Sequence, residues 1–358
     1  MKIFNHAEKF KNIGIKKIMN EFSFPTATST SQRHSFDIGV YVLGSFNIDV
    51  VSITEHLPRP GQTVHASSTR FLPGGKGSNQ ATAVSKVINN THLTVKLGKD
   101  SFSEIAKNYL SASSINTLTV LENESESTGN ALIMVDGTTG ENSIAIDLGA
   151  NKTILEDELV IEFPLIESSK VFLTQLENNF ELTKKALNFA HHSAPIVILN
   201  PAPYTPRVKE VVHFVDVITP NETEAEDLTG IRIECLDTAL DAAKAIHSLG
   251  AKVVILTLGG SGVLLYDGVD AFHCPAFRAA VEDTSGAGDS FNGALAAMLS
   301  QGKSIKESVL YACAFASLAV ERSGAANMPE HSLVLDRLTL QGDISLLPYN
   351  PMKTKVIS

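Results

Sequence analysis

Short apolar segments that alternate with helical patterns constrain the fold of this chain more than any other feature. Uninterrupted apolar runs of four to seven residues are typical of strands buried on both faces of a sheet. Helical stretches at residues 182–192 and 238–249 separate most of them, and the chain is largely helical from Asp289 to about Leu338. The alternation predicts an α/β fold with a parallel sheet covered by helices on both faces. The predicted strands lie at residues 37–43, 94–97, 171–174, 196–199, 215–219 and 253–257.

Two segments, at about residues 47–71 and 130–146, break this alternation because they contain turn residues but no helical pattern. Each segment reads as a pair of strands, with turns at residues 58–61 and 136–140. We interpret them as a small β-sheet outside the main sheet, a candidate lid or oligomer surface. An ordinary hairpin at the edge of the main sheet is the alternative.

The first 36 residues differ in composition from the rest of the chain. They contain six lysines and arginines but only two acidic residues, and a Ser/Thr-rich stretch lies near their end. We predict a disordered N-terminal extension over residues 1–36. A mitochondrial transit peptide is the alternative, since such peptides are basic and amphipathic.

Charge and composition exclude several functional classes. The formal net charge of −10 argues against nucleic-acid binding, which needs a basic face. No apolar run reaches the roughly 18 residues of a membrane-spanning helix, so we expect no membrane partner. The three cysteines lie far apart and lack metal-site spacing, which favours a reducing compartment. We therefore expect a cytoplasmic protein, for which a nuclear location is also compatible and a mitochondrial location is the alternative.

The densest functional pattern lies at residues 283–293, where glycines precede an apolar helical pattern. Such a turn presents unpaired backbone N–H groups and the positive end of the helix dipole to an anion. Gly286, Ala287 and Gly288 are therefore predicted to form an anion hole for a phosphoryl group. Asp289 follows in the first helical turn, where its carboxylate can accept a proton from an attacking alcohol. The alternative is that Asp289 only caps the helix.

A second glycine cluster, at residues 74–80, also precedes a helix and carries Lys76 and Asn79, which can bond sugar hydroxyls. Asn47 and Asp49 follow the first strand and share one face of an extended segment, so an amide and a carboxylate are available for a diol. In parallel sheets, ligand sites form where the carboxyl ends of strands meet. Polar or glycine-rich positions follow five predicted strands: Asn47 with Asp49, Glu177, Asn200, Asn221 with Glu224, and residues 257–262.

Taken together, these motifs resemble the ribokinase (PfkB-like) carbohydrate kinases over about residues 37–340. One family signature matches Gly-Gly-Lys-Gly-Ser-Asn-Gln at residues 74–80, and the other matches Asp-Thr-Ser-Gly-Ala-Gly-Asp at residues 283–289. Stretches at residues 44–49, 126–129, 200–203 and 219–226 resemble ribokinases in particular. The resemblance implies a three-layer α/β/α core with a mostly parallel sheet and a small β-sheet lid. This kinase domain would span residues 37–345, and residues 346–358 would form a C-terminal tail.

The resemblance also implies roles for individual positions in substrate binding and catalysis. The catalytic base, which deprotonates the ribose 5-hydroxyl, matches Asp289. The anion hole over the γ-phosphate matches Gly286, Ala287 and Gly288. The sugar-binding positions of the family match Asn47, Asp49, Gly75, Lys76, Asn79 and Glu177.

Further positions match the nucleotide and cation sites of the family. The positions that place Mg²⁺ and phosphate match Asn221 and Glu224. Cys313 stands where some members place a histidine against adenine. The loop along the nucleotide matches Thr257, Leu258, Gly259, Gly260, Ser261 and Gly262. A monovalent cation site, formed mostly by backbone carbonyls, matches Asp283, Ser285, Ala319, Arg322, Gly324 and Met328.

The activity implied by the resemblance is phosphorylation of D-ribose at O5 by ATP, giving ribose 5-phosphate and ADP. Mg²⁺ would accompany ATP, K⁺ would activate the enzyme, and a homodimer would form through the β lid. Another sugar or a nucleoside stays open as the substrate, with 2-deoxyribose, fructose and adenosine as examples. The alternative from a different class is a non-catalytic sugar- or nucleotide-binding regulator.

Overall fold

The structure, a computed structural model, describes residues 37–193 and 195–351. The predicted N-terminal extension at residues 1–36 therefore lies outside the described residues. The strands, in chain order, are β1 (Ile38–Leu43), β2 (Asn47–Thr54), β3 (Ala66–Gly74), β4 (Thr91–Gly98), β5 (Thr117–Asn123), β6 (Gly129–Asp136), β7 (Asn142–Asp147), β8 (Ser169–Thr174), β9 (Ile196–Leu199), β10 (Val217–Ile218), β11 (Val253–Thr257), β12 (Val263–Tyr266), β13 (Ala271–Cys274) and β14 (Leu347–Tyr349).

Helices connect most of the parallel strands. They are α1 (Lys76–Ser85), α2 (Ser101–Ala112), α3 (Glu156–Ser168), α4 (Phe180–His191), α5 (Glu222–Thr229), α6 (Leu236–Ser248), α7 (Ala287–Ser300), α8 (Ile305–Ala319) and α9 (His331–Leu340). Short 3-10 turns lie at Gly149–Thr153, Pro206–Glu210, Val212–Phe214 and Gly259–Ser261. None of these helices combines the length and the apolar character needed to cross a membrane.

The main sheet has the strand order β14-β13-β12-β11-β10-β9-β8-β1-β4-β5. Every neighbouring pair from β11 to β5 is parallel, whereas the pairs from β11 to β14 are antiparallel. The mostly parallel sheet predicted from the sequence is confirmed. Strands β4 and β5 lie on one side of β1, and β8 and the strands that follow it lie on the other side. The strand order therefore reverses at β1, and ligand-binding loops are expected to meet at its carboxyl end.

Two details of the main sheet differ from the sequence prediction. Leu347–Tyr349 pairs with Ala271–Cys274, although the sequence assigned it to a C-terminal tail. A proline at position 348 is tolerated there because the strand lies at the sheet edge. Strand β10 is shorter than predicted, since the N–H of Val215 donates to the carbonyl of Val212 at 3.1 Å and closes a 3-10 turn instead.

Helices cover both faces of the main sheet and enclose a separate core on each. Val40 and Val42 of β1 belong to a core with residues of α1, α2, α7 and α8. Tyr41 and Leu43 point to the opposite face, into a core with residues of α3, α4, α5 and α6. The predicted three-layer α/β/α arrangement is therefore confirmed, and it follows from apolar residues at consecutive positions of the central strands.

The two segments without helices form a second, four-stranded sheet with the order β3-β2-β6-β7. Strands β2 and β6 are parallel, and the outer pairs are antiparallel. The prediction of a small separate β-sheet is confirmed, and the alternative of hairpins at the edge of the main sheet is wrong. Strand β2 begins at Asn47, shortly after β1 ends. Asn47 and Asp49 therefore lie just beyond the carboxyl end of β1.

A polar seam joins helix α3 to strand β4. The Lys96 side chain is only 2% exposed and donates to both carboxylate oxygens of Glu158, at 2.8 and 2.6 Å, and to the carbonyl of Thr153 at 2.9 Å. One helical turn further, Glu162 accepts a hydrogen bond from the Thr94 hydroxyl at 2.9 Å. Residues two apart on the strand and four apart on the helix share one face, so these pairs set the position of α3 on the sheet.

We expect Glu158→Ala to lower the free energy of unfolding by about 3 kcal/mol, because it leaves the buried Lys96 ammonium with one carbonyl acceptor. Equilibrium urea denaturation measures the change. Glu156→Ala is the matched control, since Glu156 lies in the same helical turn but forms an exposed pair with Lys185. That variant should change stability by about 0.5 kcal/mol or less. Equal losses in the two variants would contradict a structural role for the seam.

Candidate active site

The glycine loop between β3 and α1 lies directly against the junction of β1 and β2. A Cβ atom at Gly77 would lie 2.3 Å from the backbone nitrogen of Ser45, and one at Gly74 would lie 2.4 Å from the Asp49 carboxylate. Gly75 has a φ of 90°, in the left-handed region that other residues rarely adopt. Glycines therefore allow an approach that brings the first turn of α1 to the carboxyl end of β1.

Asp289 lies in the first turn of α7 and is only 6% exposed. The side-chain amide of Asn79 donates to its Oδ2 atom at 3.0 Å, and that of Gln80 donates to its Oδ1 atom at 3.0 Å. Both carboxylate oxygens are thus held by amides of α1, and each keeps a further lone pair for a ligand. The structure brings the two glycine motifs of the sequence together at this carboxylate.

Gln80 is a site residue to which the sequence analysis assigned no role. Its Nε2 atom also donates to Asn200 Oδ1 at 3.1 Å, and its Oε1 atom accepts from Gln175 Nε2 at 2.5 Å. Because Gln175 occupies the carbonyl end, Gln80 presents its NH₂ group to Asp289. A polar residue at the end of a glycine motif was the available sequence signal, but nothing in the sequence showed that it is buried.

Asn79 has a free acceptor beside Asp289. Its Oδ1 atom is buried and has no hydrogen-bond partner among the residues that the structure describes. An unpaired buried acceptor is costly unless a ligand donates to it. Since the Nδ2 end is committed to Asp289, the free Oδ1 atom fits the predicted role of Asn79 in binding a sugar hydroxyl.

Glu177 anchors the glycine loop to the segment that follows β8. Its Oε2 atom accepts hydrogen bonds from the Ser45 hydroxyl at 2.5 Å and from the backbone N–H of Lys76 at 3.0 Å. The carboxylate therefore holds the start of α1, where the helix dipole favours negative charge. The structure adds this anchoring contact to the predicted sugar-binding role of Glu177.

Asn47 is held by a residue that the sequence analysis did not identify. The Nδ2 atom of Asn151, in the turn Gly149–Thr153, donates to Asn47 Oδ1 at 2.9 Å. Asp49 lies two residues further along β2 and shares the face of Asn47. A lone asparagine two residues after a glycine forms no recognisable motif, so the sequence offered no sign of this contact.

Four carboxylates surround one lysine in this site. Burial, together with the negative charges of Glu177 and Asp289, raises the pKa of Asp49 to about 7, whereas Lys76 opposes the change. Burial lowers the pKa of Lys76, but the surrounding carboxylates outweigh burial and hold it above its ordinary value. Burial also raises the pKa of Glu224. The excess of carboxylates favours a neutral, hydroxyl-rich ligand, and an anionic ligand needs accompanying cations.

The predicted anion hole lies at the N-terminus of α7. Gly286 has a φ of 72°, and a Cβ atom there would lie 2.5 Å from the carbonyl oxygen of Ala325. Helix geometry leaves the N–H groups of Gly288 and Asp289 without intrahelical acceptors. A Cβ atom at Gly288 would meet no described atom within 4 Å, so this turn is open.

The backbone N–H of Ala287, also predicted to lie in the anion hole, already has an acceptor in the protein. Its N–H group donates to the carbonyl of Thr284 at 3.2 Å and closes the turn that precedes the helix. The N–H groups of Gly286, Gly288 and Asp289 donate to no residue that the structure describes and are therefore available to an anion.

Asn221 and Glu224 form a capping box at the start of α5. The Glu224 N–H donates to Asn221 Oδ1 at 2.8 Å, and the Asn221 N–H donates to Glu224 Oε2 at 3.0 Å. The charge of Glu224 acts on Lys76, so the box faces the carboxylate cluster. Asn221 also forms an isolated β-bridge with Thr257, which places the predicted nucleotide loop beside it.

The predicted nucleotide loop borders a cavity of about 520 Å³, a volume that suits a small organic ligand. Leu258, Gly260 and Ser261 line one side. Cys313 does not line this cavity but is buried on α8, where a hydrogen bond with Cys274 and burial raise the pKa of its thiol. Lining residues without a role in the sequence analysis are Glu222, Ile233, Glu234, Cys235, Leu236, His273, Pro275 and Ala276.

Asp283 joins two of the segments predicted to bind a monovalent cation. Its carboxylate accepts hydrogen bonds from the N–H of Ser285 at 2.8 Å and from the N–H of Gly324 at 2.9 Å. Burial alone would raise the pKa of Asp283, but these backbone hydrogen bonds outweigh burial and hold the pKa below its ordinary value. Asp283 is therefore a stable carboxylate at neutral pH.

Two of the predicted carbonyl ligands already accept protein hydrogen bonds. The carbonyl of Ala319 accepts from the Arg322 N–H at 3.1 Å, and that of Met328 accepts from Arg322 Nη1 at 3.3 Å. Each carbonyl oxygen has a second lone pair that is available to a cation. Among the described residues, no three His, Cys, Asp or Glu side chains converge in a way that could hold a metal ion.

Comparisons with known proteins give one consistent result. A profile of the pfkB family of carbohydrate kinases matches residues 38–332. A ribokinase of Haemophilus influenzae is 33% identical over 298 residues, which cover 83% of this chain and 97% of that protein. A deoxyribokinase of Salmonella typhi is 32% identical over 286 residues, which cover 80% of this chain and 93% of that protein.

A solved structure extends the likeness to the fold. The structure of Arabidopsis thaliana ribokinase complexed with ribose and ATP matches with a TM-score of 0.76 and 32% sequence identity. The match covers 84% of this chain and 98% of that one. The similarity therefore extends over nearly the whole length of a related ribokinase.

Asp49→Asn is expected to stabilise the ligand-free protein more at about pH 8 than at about pH 5. An unfolded aspartate ionises near pH 3.8, whereas Asp49 in the folded protein ionises near pH 7. Between these values the folded state holds the extra proton, so raising the pH through this window favours unfolding. Asparagine lacks this penalty.

The measurement is the difference in melting temperature between variant and wild type as a function of pH. This difference should grow as the pH rises towards 7 and then level off. Asp241→Asn, at an exposed position of α6, is the matched control and should show no such trend. A pH-independent difference for Asp49→Asn would contradict the raised pKa.

Proposed function

The chain belongs to the pfkB family of carbohydrate kinases and is a phosphotransferase of the ribokinase type, and we propose that it phosphorylates D-ribose at O5 with ATP. The products are ribose 5-phosphate and ADP. The observation that carries the proposal is the placement of Asp289. Its buried carboxylate is held by two amides in the first turn of a helix whose free N–H groups suit an anion.

The geometry of Asp289 supports the role of general base in this proposal. The 5-hydroxyl gives its proton to this carboxylate while its oxygen forms a bond to the γ-phosphorus of ATP. The bond between the γ-phosphorus and the bridging oxygen breaks, and ADP leaves with that oxygen. The N–H groups of Gly288 and Asp289 donate to the phosphoryl oxygens in transit. Because Asn79 and Gln80 fix the carboxylate in advance, little reorganisation is needed.

The site offers hydrogen-bonding groups that complement a polyol. The Asp49 carboxylate and Asn79 Oδ1 accept from hydroxyls, and Asn47 Nδ2 donates to one. Similarity to a deoxyribokinase supports 2-deoxyribose as the second candidate substrate. Ribose ranks first because a missing hydroxyl would leave a buried amide unpaired, at a cost of about 1–3 kcal/mol.

Other readings have less support in the site. Fructose and a nucleoside such as adenosine stay within the same family of kinases, and no contact favours them over ribose. A non-catalytic regulator would need to lack a catalytic group, whereas Asp289, Gly288, Asn221 and Glu224 are all in place.

Mg²⁺ is the cation that we propose to accompany ATP. Bound at the polyphosphate, it would neutralise charge that the acidic site cannot. Mg²⁺ is commonly bound by one or two carboxylates together with waters and substrate phosphates. Such a site does not need three protein ligands, and no cluster of three is present among the described residues. Glu224 and Asn221, beside Lys76 and the nucleotide loop, are the residues that would hold the hydrated ion.

We propose K⁺ as an activating cation near Asp283. The positive charge of the bound K⁺ would stabilise an anion in the anion hole. The residues fit this role because Asp283 holds Gly324 and because the carbonyl of the next residue, Ala325, packs against Gly286 at the start of α7. A cation bound by this segment therefore lies beside the turn that binds the phosphoryl group.

The first test is release of ADP with D-ribose, ATP and Mg²⁺, in K⁺ and again in Na⁺ alone. The wild type should show ribose-dependent release that is faster in K⁺. Asp289→Asn should lower kcat by about 10²–10⁴-fold with ribose affinity largely kept, because only the base is removed. Asp241→Asn on α6 is the control and should behave as the wild type.

The outcomes separate the parts of the proposal. Turnover of another sugar or a nucleoside, with none of ribose, would reject ribose and keep the kinase assignment. Retained turnover by Asp289→Asn would remove Asp289 from the role of base. Equal rates in K⁺ and Na⁺ would reject the activating cation.

We also propose a homodimer formed through the small sheet. Four of its apolar side chains, two on each face of the sheet, are each more than half exposed, and exposed apolar surface marks interaction sites. These residues are Phe71, Leu132, Ile144 and Ile146. Ile144→Asp should convert a dimer to a monomer in analytical ultracentrifugation, and Ile161→Asp, on the exposed side of α3, is the matched control. A monomeric wild type would contradict the proposal.

A further inference from the structure

Asn151 connects three segments at the base of the small sheet. It lies in the turn Gly149–Thr153, which leads from the last strand of the small sheet to α3, and it is fully buried. Its Oδ1 atom accepts from the backbone N–H of Phe46 at 3.0 Å, and its Nδ2 atom donates to the carbonyl of Phe46 at 3.0 Å. The same Nδ2 group donates to Asn47 Oδ1 at 2.9 Å.

These contacts determine which end of each amide points where. Because the N–H of Phe46 can only donate, the atom of Asn151 that it contacts must be the oxygen. Both protons of Asn151 Nδ2 are then used, one for the Phe46 carbonyl and one for Asn47. Asn47 must therefore offer its oxygen to Asn151, and its NH₂ group points elsewhere.

Close packing holds the planes of the two amides in place, so their hydrogen bonds decide which end of each amide points where. A Cβ atom at Gly129 would lie 2.3 Å from Asn151 Nδ2 and 2.3 Å from Asn47 Oδ1. Gly129 begins β6, so the third segment of the junction closes over both side chains. No hydrogen bond joins Asn47 Nδ2 to a described residue, so this donor is available to a ligand.

We propose that Asn151 is a positioning residue that holds Asn47 with its NH₂ group toward the sugar and thereby sets the preference for ribose over 2-deoxyribose. The inference rests on the proposed function, in which Asn47 contacts the sugar. A donor held in this direction needs an oxygen acceptor on the ligand. The hydroxyl that 2-deoxyribose lacks supplies that acceptor, and without it the donor is unpaired.

The closing experiment uses two substitutions of Asn151. Asn151→Asp keeps the shape and an acceptor for the Phe46 N–H, but the new carboxylate attracts the NH₂ end of Asn47 and turns that amide around. Asn151→Ala removes every contact. Both variants should lower kcat/KM for ribose about 10- to 100-fold, mainly through KM, and affect 2-deoxyribose less. The ratio of kcat/KM for the two sugars should therefore fall about tenfold or more.

Thr128→Val is the matched control for damage to the junction. Thr128 is fully buried next to Gly129, donates to Asp100 at 2.8 Å and accepts from the Gly98 N–H at 3.1 Å, but it does not touch Asn47. Its loss should affect both sugars equally. In an Asn47→Ala background, Asn151→Asp should leave the ratio unchanged, because the amide that it orients is absent.

Side-chain amide resonances of Asn47 in the ligand-free protein give a second readout that needs no substrate. They should shift in Asn151→Asp and stay in place in Thr128→Val. An unchanged sugar ratio in active Asn151 variants, or unshifted Asn47 resonances, would overturn the inference. A wild type that phosphorylates neither sugar would overturn the proposed function instead, and the resonances would then decide the role of Asn151.

Discussion

The contact between the glycine loop and the β1–β2 junction is the constraint on which the whole site depends. At Gly77 a single Cβ atom would collide with the backbone nitrogen of Ser45. Only this close approach lets Asn79 and Gln80 reach Asp289, which lies 210 and 209 positions later in the chain. The Asp289 carboxylate therefore owes its orientation to backbone packing in a much earlier part of the chain, and the helix that carries it needs only to bring it within reach.

Neutral hydrogen-bond donors allow several carboxylates to be buried close together in this site. Asp289 and Glu177 accept hydrogen bonds from Asn79, Gln80, Ser45 and the Lys76 backbone. Such neutral donors stabilise a carboxylate without cancelling its charge, so it stays available to a proton or a cation. Asp49 lacks comparable compensation, and burial beside its acidic neighbours raises its pKa. An unfavourably buried carboxylate of this kind is typical of a ligand-binding site, because the ligand supplies the hydrogen-bond partners that the protein lacks.

The sequence predicted those parts of the molecule that depend on residues close together in the chain. Buried parallel strands require consecutive apolar residues, and tight turns before helices require glycine, so the core and both motifs could be recognised. Strands β5, β13 and β14 were missed because half-buried or very short strands carry no such run. Strand β12 does carry an apolar run, of four residues, and was overlooked. Gln80 and Asn151 were missed for a different reason. Their roles come from partners more than 100 positions away, and only the folded chain brings those partners together.

At Gly288 the packing of the folded protein does not require glycine, whereas a bound ligand would. A side chain at Gly286 would collide with Ala325, whereas a Cβ atom at Gly288 would meet no described atom within 4 Å. Its backbone is helical, so the folded protein alone would accept alanine there. Stability alone would favour alanine at this helical position by up to about 1 kcal/mol. The glycine is instead explained by the proposed phosphoryl transfer, in which a side chain would occupy the space of the phosphoryl group. A library of variants screened for folding would retain substitutions at Gly288, and the same library screened for growth on the sugar would lose them.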